Sequence, residues 1–104
     1  MDSPQPTMPT RDAFATAVNS EFKVSLADDD AVQFTLVDCK TVLSNERQEC
    51  YSLLFRAPAE HPVIQETYLL ENDNLGSVNL LLVPVKGDET GIYFEAVMHH
   101  LLQQ

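Results

Sequence analysis

The chain has 104 residues, 44% of them hydrophobic, with 16 acidic against six basic side chains and a formal charge of −10. That length holds one domain and one core, and the apolar content is that of a folded chain. The charge repels phosphate backbones, and with no basic stripe or membrane-length apolar run it excludes nucleic-acid and anionic-membrane binding.

Residues 1–9 (MDSPQPTMP) carry three prolines and no periodicity, and read as a flexible tail. They show neither the basic nor the apolar region of a secretory signal, so a cytoplasmic protein is expected. Residues 10–101 form the single predicted β domain. Thr10 is a predicted N-cap for a two-turn helix ending near Asn19, with Phe14, Ala17 and Val18 on one face. Such a helix cannot stand alone, so its apolar face is expected to close over one end of a β core.

Residues 21–26 (EFKVSL) alternate, with Phe22, Val24 and Leu26 inward, and residues 27–31 (ADDDA) turn the chain. Val32, Phe34 and Leu36 resume the alternation, but Val37 and Cys39 continue it in the opposite phase. A one-residue slip of that kind marks a β-bulge in a long strand. Residues 44–49 (SNERQE) read as a polar loop, residues 51–56 (YSLLFR) as a strand and residues 63–70 (VIQETYLL) as another, anchored by Ile64 and Tyr68. Residues 71–76 (ENDNLG) turn the chain again.

Residues 78–86 (VNLLLVPVK) and 92–98 (IYFEAVM) flank a Gly-bounded loop, residues 87–91 (GDETG), and together read as a β-hairpin. The first of these strands is apolar on both faces, which places it centrally and buries both. In the second, Ile92, Phe94, Ala96 and Met98 share one face. The sum is an all-β fold with one short N-terminal helix: an antiparallel six-stranded roll or small barrel.

Chemistry is harder to find. The acids Asp28, Asp29 and Asp30 lack the EF-hand spacing, since the sixth position after Asp28 is Gln33 rather than glycine, and they read as a solvated hairpin tip. His99 and His100 are adjacent, so in a strand they face opposite ways. His61 stands alone in a proline-flanked loop. All three read as surface histidines, and no metal site and no cofactor is expected. No nucleophile elbow, P-loop or dinucleotide fingerprint is present, so catalytic residues are not expected and the protein reads as no enzyme. A turn centred on Ser44 and Asn45 would set Cys39 opposite Cys50, close enough to bridge, although a reducing cytosol favours two free thiols. Arg56 is the one charge in an apolar strand, and a structural ion pair with Glu95 or Glu66 is expected, a ligand carboxylate being the alternative.

Residues 51–58 (YSLLFRAP), 65–71 (QETYLLE) with Leu75 and Gly76, 80–85 (LLLVPV) and 94–98 (FEAVM) together resemble a family of small bacterial domains of unknown function. Its members carry Phe-Ser-Leu-Leu-Phe-Arg-Gly-Pro, Gln-Gly-x-Tyr-x-Leu, Phe-Leu-Val-Pro and Tyr-Glu-Ala-Val-Phe-Asn segments in that order. The chain departs from the pattern at Ala57, Glu66, Asn72, Phe94, Met98 and His99. The resemblance lends no catalytic residue. It implies a role beside phage-tail-type or collar-type proteins, and a partnership of Arg56 with Glu95 inside the fold.

Three functions are therefore open. The first is a non-enzymatic β domain acting by protein–protein contact, an accessory or structural component of a phage-tail-like assembly, with Leu81, Val83, Tyr93 and Val97 as its candidate interaction face. The second is an acidic inhibitor or immunity-like protein that captures a basic target. The third is a small-molecule binder with a barrel mouth near Arg56, Tyr68 and Tyr93. A protein partner is expected in the first two, and a homo-oligomer is compatible with the composition.

Overall fold

The structure is a computed structural model that describes residues 9–25 and 31–101. The expected tail at 1–9 and the acidic hairpin tip at 28–30 lie, but for Pro9, outside the described residues. The elements are α1 (Arg11–Thr16), β1 (Glu21–Ser25), β2 (Ala31–Ser44), β3 (Gln48–Ala57), β4 (Glu66–Asn72), β5 (Gly76–Asp88) and β6 (Gly91–Leu101).

Thr10 caps α1 as its sequence predicts: its hydroxyl accepts the Ala13 N–H at 3.1 Å, satisfying one of the donors a helix start leaves open. The helix is one turn shorter than expected. Asn19 takes a positive φ of 78°, a conformation Asn tolerates better than most residues, and this turns the chain out of the helix. The Asn19 N–H then donates to the Leu36 carbonyl, so the turn feeds directly into the sheet.

The six strands pair antiparallel and close in the order β1-β2-β3-β6-β5-β4. Alternation drives this: along most of each strand, and in β2 up to Leu36, every second side chain is apolar, and those faces have nowhere dry to go but inward. The interior holds Phe22, Phe34, Leu36, Leu53, Phe55, Leu70, Leu82 and Phe94, all buried. Phe34 stacks on Phe94 with ring centres 5.6 Å apart, and Phe22 meets Phe55 edge-on at 5.2 Å. Each such side chain contributes roughly 1.5–3 kcal/mol by leaving water. α1 lies on the inner side of the sheet, where Phe14 is buried against the Tyr51 ring.

The phase slip in β2 is a register shift between Leu36 and Asp38, which leaves Val37 unpaired against β3. A second shift between Thr41 and Leu43 does the same for Val42. The polar loop expected at 44–49 shrinks to residues 45–47, because β2 and β3 run on as a ladder to Ser44↔Glu49. That longer ladder also separates the cysteines. Cys39 pairs with Leu53 and Cys50 with Leu43, so the two are not opposite one another, and both are free.

Two burial expectations are overturned. β5 is buried on one face only: Val78, Leu80 and Leu82 point inward, while Leu81 stays 52% exposed. One small ring needs one lining face per strand, and the second apolar face is surplus. The strand expected from residue 63 begins at Glu66 instead, and Ile64 is exposed rather than an anchor. Its side chain precedes the ladder, so no neighbouring strand covers it. Tyr68 is buried as expected.

Candidate functional site

β5 changes partner part-way along. It pairs with β4 up to Glu66↔Leu82, and with β6 from Val83↔Glu95 onward. Around this crossover the outer face of β3, β6 and β5 carries Leu54 and Arg56, then Tyr93, Glu95 and Val97, then Leu81 and Val83. The rungs Leu54↔Glu95, Arg56↔Tyr93 and Val83↔Glu95 hold them as neighbours. Val97 is 64% exposed, whereas Val83 and Tyr93 are half-buried. The four residues predicted as an interaction face therefore share one side of the sheet, and α1 lies on the other.

The local contacts of this face are polar and short-ranged. The Ser52 hydroxyl donates to a Glu95 carboxylate oxygen at 2.8 Å. The Lys86 ammonium sits 4.7 Å from the centre of the Tyr93 ring, and the Tyr93 hydroxyl lies 3.0 Å from that of Thr90. Arg56 forms neither ion pair expected of it. Its cross-strand neighbours are Thr35 and Tyr93, Glu95 is held by Ser52, and Glu66 is on β4, which is not a neighbour of β3. Among the described residues the ion pairs are Arg11 with Asp12 at 2.9 Å and Arg11 with Glu49 at 3.2 Å. Arg56 avoids desolvation by facing outward, so it needs no carboxylate.

The barrel mouth predicted around Arg56, Tyr68 and Tyr93 does not assemble. Tyr68 is inside the ring, donating its hydroxyl to the Ile64 carbonyl at 2.7 Å, while Arg56 and Tyr93 are outside. One concavity that does form is a cleft of about 340 Å³ lined by Val63, Pro84, Val85, Lys86, Gly87 and Ile92. It lies where β5 has left β4 and bulges at Val85. It offers apolar walls and one cation, with no nucleophile or acid–base pair.

His61 is where the sequence reading fails most usefully. It is not a surface histidine but 9% exposed, on the connection between β3 and β4. Its ring meets Phe34 edge-on at 5.0 Å and Phe94 at 5.8 Å, and lies tilted 6.1 Å from Tyr68. Burial lowers its pKa against a smaller upward pull from Glu66. The flanking Pro58 and Pro62 were the available signal, since they stiffen a loop enough to hold a side chain in place. His99 and His100 do diverge: the first meets the Gln48 side chain at 2.8 Å, and the second stacks on Tyr51.

Cys39 packs beside α1 with its thiol on the Arg11 carbonyl, and burial raises its pKa. Tyr51, fully buried, has its pKa pushed up to about 12, first by burial and then by the Glu49 charge. No group of three His, Cys, Asp or Glu side chains among the described residues is placed to hold a metal ion. No helix there is long and apolar enough to cross a membrane.

These features define a small antiparallel β domain, closed on itself, whose outer face mixes exposed apolar side chains with charged ones. The chain belongs to the family described as Domain of unknown function (DUF6916), whose model matches residues 9–98. No curated protein and no solved structure matches the chain.

Proposed function

We propose that the chain is a non-catalytic β domain that acts by protein–protein contact, as an accessory or structural component of a phage-tail-like assembly in the bacterial cytoplasm. The observation that carries the contact is the exposure of Leu81 and Val97 on the same side of the sheet as the half-buried Leu54, Val83 and Tyr93, grouped around Glu95. Apolar side chains gathered on one side of a sheet, with the helix on the other, favour a surface that a partner covers. The assembly context rests on the family resemblance alone.

The test compares the native chain with a Leu81→Glu, Val97→Glu double variant as bait in its native lysate, washed at low and high salt. Leu81 is 52% and Val97 64% exposed, so covering the two together is worth roughly 2–3 kcal/mol. The variant should therefore bind about a hundredfold more weakly, and the native complex should survive high salt. A partner retained equally by both baits would refute the surface. The charge of −10 favours one other reading, the acidic inhibitor. In that case the partner is basic, and high salt releases it.

A further inference from the structure

Between Ala57 and Glu66 the chain crosses one end of the ring without joining any strand. Two attachments hold it there. One is the Ile64 carbonyl, which accepts the Tyr68 hydroxyl; the other is the His61 ring, seated among Phe34 of β2, Tyr68 of β4 and Phe94 of β6. Residues 59, 60 and 62–65 are exposed. The segment is drawn tight at its start, where the His61 N–H donates to the Pro58 carbonyl at 2.9 Å.

We propose that residues 58–65 are an acid-released strap, latched over the end of the ring by the imidazole of His61. The device is independent of the contact face proposed above. β2 and β6 present only the hydrocarbon rings of Phe34 and Phe94 to the imidazole. β4 presents the Tyr68 phenol and the Glu66 carboxylate, and the strap itself carries Glu60. Among the described residues no protein group hydrogen-bonds the imidazole. A neutral ring fits such a cage as another aromatic. An imidazolium gives up hydration on entering it, and Glu66 returns only part of that loss.

The sign follows by linkage. The seated His61 has a pKa below the ordinary 6.5, so the released strap binds a proton more readily than the latched one. Latching is fully favoured above pH 6.5 and weakens as the pH falls from there toward the lowered value. The released fraction grows by about tenfold for every pH unit separating the two pKa values. Release withdraws Val63 from the cleft it lines and uncovers Phe34, Tyr68 and Phe94, so the molecule gains an apolar surface in acid.

The experiment measures amide-exchange protection of His61, whose N–H is held by the Pro58 carbonyl, at pH 7.5 and pH 5.0, corrected for intrinsic exchange, alongside the NMR titration of its ring. Protection of the strap should fall at pH 5.0 while β3 and β6 stay protected, and His61 should titrate below 6.5. His61→Phe, which keeps the ring and removes the proton, should abolish the pH response. Glu66→Gln should lower the His61 titration further and enlarge the loss of protection at pH 5.0. Equal protection at both pH values, the same response in His61→Phe, or a His61 titration at or above 6.5 would each overturn the proposal.

Discussion

Replacing Gly91 by Ala is the sharpest test of the packing. Gly91 is buried at the first position of β6 and holds a φ of 152°, which side-chain-bearing residues rarely adopt. A Cβ built there collides with the Ala57 carbonyl oxygen and approaches Arg56 Cγ to 2.9 Å. The arginine stem can swing away, but the carbonyl belongs to the Ala57↔Ile92 rung and cannot move without pulling β3 off β6. Overpacking costs about 1–3 kcal/mol and a forced backbone conformation about 1–3 kcal/mol more, so Gly91→Ala should lose about 2–6 kcal/mol. For a chain of this size that lowers Tm by about 10 °C or more. Gly76→Ala is the matched control: its φ is 77°, yet nothing lies within 4 Å of the added carbon. It should cost only the conformational penalty of about 1–2 kcal/mol. Urea unfolding followed by circular dichroism, with the m-value unchanged, measures both. If Gly91→Ala proves no more damaging than Gly76→Ala, the close approach of β6 to Ala57 is wrong.

Neighbouring leucines on β5 should separate cleanly: Leu82→Ala, fully buried, loses about 2–5 kcal/mol in the same urea assay, while exposed Leu81→Ala stays within about 0.5 kcal/mol. Alkali should unfold the protein through Tyr51. The folded state keeps the phenol proton up to about 12 while the unfolded chain releases it near 10, so stability is intact below pH 10 and falls by about 1.4 kcal/mol per pH unit above it. Burial also raises the Tyr68 pKa, so phenolate absorbance should show two late tyrosines, and Tyr51→Phe should remove one of them and flatten the alkaline loss.

Local alternation made the strands legible. Phe22 with Val24, Phe34 with Leu36 and Phe94 with Ala96 each announced a face, and the slip after Leu36 announced the bulge. Register was not legible, because the turn falls at 45–47, two residues later than the composition suggests, and this displaced Cys50 from Cys39, the shift at Val42 restoring only one position. Nor was the single-faced burial of β5. Leu81 is as apolar as Leu80, and only the size of the ring decides which of them water reaches. The candidate face could be named because surplus apolar residues are countable in a sequence. Arg56 misled, since a charge amid apolar neighbours looks buried until the phase of its strand is fixed. The cage of His61 was illegible for a different reason: three strands far apart in the chain build it, and the flanking prolines indicate only that its loop is stiff.

Among the described residues the closure of the ring is thin: β1 and β4 meet there through two rungs, Lys23↔Glu71 and Val24↔Leu70, whereas β3 and β6 share ten. Uncurled, the order β1-β2-β3-β6-β5-β4 is a ribbon whose two ends are fastened by a clasp. The clasp joins segments remote in sequence, so its loop entropy is paid last during folding and regained first during opening. The earliest excursion from the native state is therefore an unclasped sheet that keeps most of its hydrogen bonds and its aromatic contacts. Such a sheet bares two free edges at once, on β1 and on β4, and two chains caught in that state can clasp each other in place of themselves.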